Sequence, residues 1–253
     1  MDFEKRNFFR KTVLLFFLST VYAAFAAQPS IVTPGYLWVA TISGGPIWES
    51  GGQTQTFFLQ PDVEKTYAAR SKSHTLAQGE VFVGVQRTLH PRLQGQLGFS
   101  VSTTSVANLA GNVWDDADPS FNNFTYAYKI RHTHVALKGV LLTDMRFFAL
   151  KPYVSASIGP GFNQAYHYSN TPTISEAVAT PNFASNTSTS FTYTVGVGVR
   201  RALNTHWQAG VGYEFADWGS SQLGRALGQT MGDGLRLNHL YTNGLLFNLT
   251  WLS

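Results

Sequence analysis

Two histidines separated by one residue are the first candidates for chemistry in this sequence. In His132-Thr133-His134 both imidazoles lie on the same face of an extended strand. Two imidazoles at that spacing can reach one metal ion. However, no third ligand is evident, and the chain has no cysteine to supply one. We interpret the pair as polar residues of an interior or rim, and we expect no metal and no cofactor.

An acidic cluster, Asp115, Asp116 and Asp118, could bind a hard cation such as Ca²⁺. It lacks the glycine and the terminal glutamate of a dedicated calcium loop. We therefore interpret it as a solvated loop tip.

Glycines repeat at every second position in three places that resemble fragments of phosphate-binding loops. A phosphate loop requires a strand, a loop and then a helix, and no helical pattern follows any of the pairs. Each pair lies inside a predicted strand instead, so we expect no nucleotide there. The pairs are Gly159-Pro160-Gly161, Gly196-Val197-Gly198 and Gly210-Val211-Gly212.

The quartet His167-Tyr168-Ser169-Asn170 resembles the His-x-Ser-Asn stretch of outer-membrane lipid A deacylases. That resemblance implies His167 as base and Ser169 as nucleophile, with Glu176 as an orienting carboxylate. Residues two apart share a strand face without any catalytic purpose, and the flanking sequence does not match that family. We therefore expect no catalytic residues here, and a hydrolase is the third functional alternative.

Alternation of apolar with polar or glycine residues marks the elements that must position these side chains. Between Leu93 and Val101, for example, Leu97, Phe99 and Val101 alternate with Gly, Ser and Gln. A period of two residues predicts strands with one apolar face. Strong and weak versions of the pattern predict eight strands: Trp38–Trp48, Glu80–Leu89, Leu93–Val101, Thr125–Leu141, Phe148–Phe162, Phe191–Arg200, Trp207–Phe215 and Thr242–Trp251.

The connections between these strands alternate between tight turns and long polar loops. Tight turns fall at 90–92, 143–146 and 203–206, and long loops cover about 49–73, 112–123, 168–188 and 219–238. This layout predicts an all-β fold: a transmembrane up-and-down antiparallel β-barrel of eight strands, with short periplasmic turns and long extracellular loops. Ten strands stay open as an alternative, because Thr54–Leu59 and the segment after Tyr67 could pair as well.

The apolar faces indicate lipid outside the barrel, because a narrow interior suits the Gly, Ser, Thr and Gln of the other face. The tryptophans fit two aromatic girdles. Trp38, Trp207 and Trp251 lie near the short turns, whereas Trp48 and Trp218 lie near the loops.

Three segments carry a family resemblance: Ala149–Phe162, Phe191–Leu203 and His206–Trp218. They resemble the second half of the eight-stranded outer-membrane barrels, the superfamily of OmpA membrane domains and opacity-type porins. The closing segment resembles the signal read by the barrel-assembly machinery, through Gly244, Phe247, Leu249 and Trp251. The resemblance implies a place in the bacterial outer membrane.

Four charged residues fall on the polar strand faces: Glu80, Lys138, Arg200 and Glu214. A charge inside a narrow barrel must be paired or hydrated. The same residues could form a salt-bridge plug or line a thin water path, and the sequence leaves both open.

The N-terminus has the pattern of a secretory signal peptide, with four basic residues, an apolar run and Ala24-Phe25-Ala26. Cleavage after Ala26 divides the chain into a signal peptide, 1–26, and a barrel domain, 27–253. The formal charge then falls from +4 to +2, because four basic and two acidic residues are removed. Nucleic acid is an unexpected partner at that charge.

These patterns predict a non-catalytic outer-membrane barrel that displays surface loops in a structural, adhesive or surface-interaction role. A small diffusion pore is the second alternative. The expected partners are outer-membrane lipid and lipopolysaccharide, the barrel-assembly machinery, and a host or surface ligand reached through the loops.

Overall fold

A computed structural model describes residues 35–70, 74–144, 150–177 and 181–253. The predicted signal peptide lies outside these residues, so its cleavage stays a prediction. No helix among the described residues is long and apolar enough to cross a membrane. The strands are β1 (Tyr36–Glu49), β2 (Gln55–Gln60), β3 (Val63–Ala69), β4 (Thr75–His90), β5 (Leu93–Thr104), β6 (Ala107–Asp115), β7 (Asn122–Thr143), β8 (Leu150–Pro172), β9 (Asn186–Ala202), β10 (Trp207–Asp217), β11 (Ser221–Gln222), β12 (Arg236–Leu237) and β13 (Tyr241–Leu252).

Eight of these strands close into an antiparallel ring. Its order is β1, β4, β5, β7, β8, β9, β10 and β13, and β13 returns to β1. Val39 of β1 therefore has a partner on each side, Gly84 of β4 and Leu252 of β13. The predicted eight-stranded up-and-down barrel is confirmed, and its closure leaves the ring without an unpaired edge.

The apolar face of the ring points outward, as predicted. On β5, Leu97, Phe99 and Val101 are exposed, whereas Ser100 and Ser102 between them are buried. Exposed aliphatic and aromatic rows on a closed ladder fit a lipid surrounding, in which every backbone polar group must be paired within the protein. The barrel is thus built to span a membrane with its strands.

At the loop end, further strands extend the same sheet beyond the ring, and we call this part of the molecule the extension. Hairpin β2–β3 pairs with β6, and β6 pairs with the first half of β7, which in turn pairs with the last part of β8. Thr54–Leu59 and the first two residues after Tyr67 therefore pair outside the ring, and the ten-stranded alternative is wrong. The structure shows strands in parts of three predicted loops, 49–73, 112–123 and 168–188. These strands form because the aromatic residues of the loops are buried in a common apolar core.

The extension has a conventional apolar core. Its buried members come from β2, β3, β6, β7 and β8 and from the loop segments that cross the barrel mouth. They include Leu59, Tyr67, Leu109, Phe124, Tyr126, Tyr128, Ile130, Tyr168, Phe183, Leu223, Leu235 and Leu240. Burial of this apolar surface away from water stabilises the loops as one folded layer above the ring.

Candidate functional site

A buried ion-pair network occupies the centre of the barrel. Lys138 Nζ on β7 lies 2.5 Å from Glu80 Oε1 on β4 and 3.4 Å from Glu214 Oε2 on β10. Ser102 Oγ donates a hydrogen bond to Glu80 at 3.1 Å, and Gln78 Nε2 donates one to Glu214 at 2.8 Å. One ammonium group therefore bridges two carboxylates whose other contacts are polar, which is what charges away from water require.

The fourth predicted interior charge, Arg200, lies in the same region of the interior. Its Nη1 donates to Gln96 Oε1 at 3.2 Å, and Gln96 Nε2 donates to Gln86 Oε1 at 2.8 Å. The guanidinium carbon lies 4.8 Å from the ring centroid of Tyr153, a cation–π contact. Tyr153 was not among the predicted interior residues, although it shares the inward register of the buried Ser155 and Ser157, which is the signal that could have identified it.

Two of the Gly-x-Gly pairs make space for that tyrosine. A Cβ atom on Gly198 would lie 2.6 Å from Tyr153 Cζ, and one on Gly212 would lie 2.2 Å from Tyr153 Oη. Both distances are shorter than a side-chain contact allows. These inward glycines let a large ring fill a narrow barrel, and they lie inside strands as predicted.

The interior holds one small cavity lined by all four charged residues, Glu80, Lys138, Arg200 and Glu214. Its volume is about 20 Å³, room for about one water molecule. Towards the short turns, Val39, Phe82 and Leu252 form a buried apolar cluster beside polar interior residues such as Gln86 and Gln208. Around this cavity the described side chains are packed closely, with little space for water.

Trp218 closes the interior at the loop end, and its assignment to the aromatic girdle is wrong. Its side chain is fully buried, its Nε1 donates to Thr242 Oγ1 at 2.8 Å, and its ring packs against His132 and His134. Strand β10 ends at Asp217, and Gly219 has a positive φ of 71°. Trp218 has the same inward register as the buried Gln208 and Glu214 of β10, so the indole points into the barrel mouth.

His132 and His134 lie beneath Trp218, inside the barrel. Their ring centroids are 5.7 Å apart, and His132 Nδ1 is hydrogen-bonded to Asn163 Oδ1. Asn163 Nδ2 donates to the Trp218 carbonyl oxygen at 2.8 Å, which connects the histidine pair to the loop above it. No group of three metal-ligating side chains occurs among the described residues. The geometry is that of an interior polar layer.

The other four girdle tryptophans lie on the outer surface. Trp38 is 63% exposed, and Trp48, Trp207 and Trp251 are 38–40% exposed. Trp207 and Trp251 are direct cross-strand partners near the short turns. Their contact with the lipid interface stays a prediction.

The residues of the predicted assembly signal lie along β13. Phe247, Leu249 and Trp251 are exposed on its outer face, and Gly244 faces the interior. A Cβ on Gly244 would lie 2.3 Å from Ile47 Cγ2, so packing inside the barrel also requires a glycine there. Recognition by the assembly machinery stays a prediction.

The acidic cluster forms a structured loop tip. Asp115 accepts from Lys65 Nζ at 2.6 Å and from Asn123 Nδ2 at 2.7 Å, and Asp118 accepts from the Ser120 backbone amide at 2.8 Å. Asp116 has a positive φ of 51° in the turn between β6 and the short 3-10 helix. These carboxylates are used for pairing and capping.

The His167, Ser169 and Glu176 side chains do not form a catalytic arrangement. His167 has a positive φ of 53° at a β-bulge, and its ring edge packs on Tyr166. Glu176 is bonded to Ser175 instead, and this hydrogen bond lowers the pKa of Glu176. Within the described chain, no hydrogen bond joins His167, Ser169 and Glu176 to one another. The activation of a serine hydroxyl by an imidazole therefore has no geometric support here.

Aromatic rings fill the centre of the extension. Tyr67 stacks on Phe57 at 5.2 Å between centroids and meets Tyr126 edge-on at 5.7 Å, and Tyr168 meets Phe183 edge-on at 4.8 Å. Burial raises the pKa of Tyr67 above its ordinary value. These side chains form a packed core that gives the extension a fixed shape.

No protein-family model matches the sequence, and no curated protein matches it. Solved structures similar to the chain are outer-membrane barrels. Neisserial surface protein A shares 12% identity, with 86% of this chain and 98% of that one covered and a TM-score of 0.42. OprG of Pseudomonas aeruginosa shares 12% identity over 85% and 95%, with a TM-score of 0.42. The outer membrane protease OmpT of Escherichia coli shares 8% identity over 90% and 99%, with a TM-score of 0.44.

Proposed function

We propose that this protein is a sealed, non-catalytic barrel of the bacterial outer membrane that displays the extension at the cell surface. The observation that carries the proposal is the filled interior, where Lys138 bridges Glu80 and Glu214 beside a cavity of about 20 Å³. In this proposal the barrel anchors the protein in the membrane, and the folded loops above it are exposed at the cell surface.

The outward apolar rows support the membrane location. A soluble barrel of this size needs many exposed charged residues, whereas β4, β5 and β9 present Val83, Phe99 and Val195 to the outside. The predicted signal peptide and the β13 assembly signal fit the same destination. N-terminal sequencing of protein from outer-membrane fractions is expected to give a mature chain that begins at Ala27.

An exposed apolar patch on the extension supports a surface-interaction role. Leu227 is 86% exposed, and Phe58 and Met231 are 43% and 42% exposed. The loop that carries Leu227 and Met231 is fixed along β2, because the Thr230 and Met231 amides donate to the Leu59 carbonyl oxygen. Apolar side chains held on a rigid, water-facing layer favour contact with another protein.

Conductance in planar lipid bilayers tests the sealed interior. The unmodified protein is expected to give no steady conductance, and the variant K138A/R200A, which removes two side chains of the plug, is expected to give a small one. The control is L137A, which shortens an outward side chain on the same strand. A steady open conductance in the unmodified protein would overturn the sealed barrel in favour of the diffusion pore.

Mass spectrometry of lipid A incubated with the folded protein tests the non-catalytic assignment. We expect unchanged lipid A, and no difference between the unmodified protein and S169A. Loss of an acyl chain that depends on Ser169 would establish the hydrolase alternative.

A further inference from the structure

Two basic side chains lie on the outer face of β7 directly above the apolar surface of the barrel. Lys129 and Arg131 are exposed, and both follow the outward register that Val135 and Leu137 occupy lower on the strand. Arg131 pairs across the ladder with Gln164 of β8, one outward position above the exposed Phe162. Outward positions on one strand are about 7 Å apart, so the two cations lie within a headgroup's depth of the apolar rows.

Neither cation is compensated by the protein. Within the described part of the chain, Lys129 and Arg131 have no carboxylate within salt-bridge distance and no side-chain hydrogen bond. The cross-strand partners of Lys129 are Asn108 and Tyr166, which are uncharged. By contrast, Lys65 in the same extension and Lys138 in the barrel are each paired with carboxylates.

The surrounding side chains suit a phosphorylated sugar. Gln164 is exposed beside Arg131, and Tyr166 and the exposed His167 lie beside Lys129. A guanidinium group binds phosphate through paired N–H donors, and an ammonium group binds it as a point charge. Amide and phenol groups can donate to the remaining phosphate and sugar oxygens.

We infer that Lys129 and Arg131 form a binding site for a phosphate of lipopolysaccharide in the leaflet around the loop end of the barrel. The inference rests on the proposed function, because that function places the loop end at the cell surface. The acyl chains of the bound lipid would lie against Phe162, Val135 and Ile158 below, all of which are exposed. One lipid would thereby meet a basic and an apolar surface at once.

Native mass spectrometry of the protein folded in maltoside micelles tests the site, with diphosphorylated lipid A as the probe. The variants K129S/R131S and K129Q/R131Q are expected to bind lipid A about 30-fold more weakly than the unmodified protein, because each basic group near a lipid surface contributes about fivefold. The matched control R92S/R201S removes two exposed basic residues at the opposite end of the barrel and is expected to bind normally. Dephosphorylated lipid A is expected to bind weakly to every protein.

Heat modifiability on SDS gels and bilayer conductance accompany each variant, so that a failure of the fold or of the seal is seen separately. A folded, non-conducting K129S/R131S protein that binds lipid A normally would overturn the inference and leave the proposed function standing. Equally strong binding of phosphatidylglycerol, with the same dependence on Lys129 and Arg131, would overturn the assignment to lipopolysaccharide.

Discussion

Strand β7 passes through both parts of the molecule, and its buried face differs between them. In the extension that face is apolar, with Phe124, Tyr126, Tyr128 and Ile130 packed in the core. In the barrel the same face also carries polar side chains: His132, His134 and Lys138 alternate there with the apolar Ala136, Val140 and Leu142. The outward face changes in the opposite sense, from Lys129 and Arg131 to Val135, Leu137 and Leu141.

The change identifies where the surroundings of the strand change. In water, burial of apolar side chains stabilises the fold. In lipid, apolar side chains can face outward without a free-energy cost, whereas polar side chains stabilise the fold by pairing inside the barrel. The switch on β7 falls between Arg131 and Val135. A single uninterrupted strand therefore records the membrane boundary in the order of its residues.

The largest expected effect on folding stability comes from removing a buried lysine in the barrel, compared with removing a lysine in the extension. Lys138→Met leaves Glu80 and Glu214 facing each other without a cation, and removal of one partner of a buried pair costs about 3–5 kcal/mol. In the extension, Lys65→Met leaves Asp115, whose side chain is 28% exposed, to be hydrated and should cost about 0–1 kcal/mol. Urea unfolding of the protein in lipid vesicles measures both changes.

The triple variant K138M/E80Q/E214Q serves as the control, because it removes the stranded charges together with the lysine. It is expected to recover most of the stability lost in K138M. Equal stability of K138M and K65M would show that water reaches the centre of the barrel.

A smaller effect is expected for new charges on the outward face. Leu137→Arg places a guanidinium among the lipid-facing rows and should cost about 2–4 kcal/mol of folding stability if Leu137 lies near the midplane. Ala127→Arg, on the same face of the same strand in the extension, should cost almost nothing because Ala127 faces water. The fraction of protein assembled in the outer membrane measures the difference, and similar assembly of the two variants would contradict the assignment of faces.

The smallest effect compares one methylene group in the two surroundings. Ile130→Val removes it from the core of the extension and should cost about 0.5–1.5 kcal/mol. Ile158→Val removes it from a side chain that is 53% exposed on the barrel exterior, where lipid fills the space, and should leave stability unchanged. Hydrogen exchange of amides in β2, β3 and β6 follows the extension in both variants. Faster exchange after Ile158→Val would show that the two parts are coupled.

The alternation of inward and outward residues along each strand allowed much of the barrel to be predicted from the sequence. Strict alternation identified the strands, and it assigned Glu80, Lys138, Arg200 and Glu214 to the interior side. The ion pairs between these charges could not be predicted. Lys138 pairs with Glu80 and Glu214 because of how the strands are shifted along one another, and alternation within a strand carries no information about that shift.

The two errors have different causes. The girdle assignment of Trp218 followed its place near the loops, although it shares the inward register of Gln208 and Glu214 on β10, and it closes the barrel mouth instead of facing lipid. Val63–Ala69 has too few apolar residues for a recognisable pattern, yet it forms β3 because Tyr67 enters a core built from distant loops. Contacts of that range are not visible in local sequence.

Single-cysteine labelling along β7 tests the membrane boundary most directly, and the chain has no native cysteine to interfere. Cysteines are placed at Ala127, Arg131, Val135 and Leu137, and a polar maleimide is added to the protein in intact outer membranes. We expect rapid labelling at 127 and 131, and slow labelling at 135 and 137 until the membrane is dissolved and the protein unfolded. Labelling at 137 as fast as at 127 would contradict a lipid-embedded lower half of β7, and with it the account of the barrel.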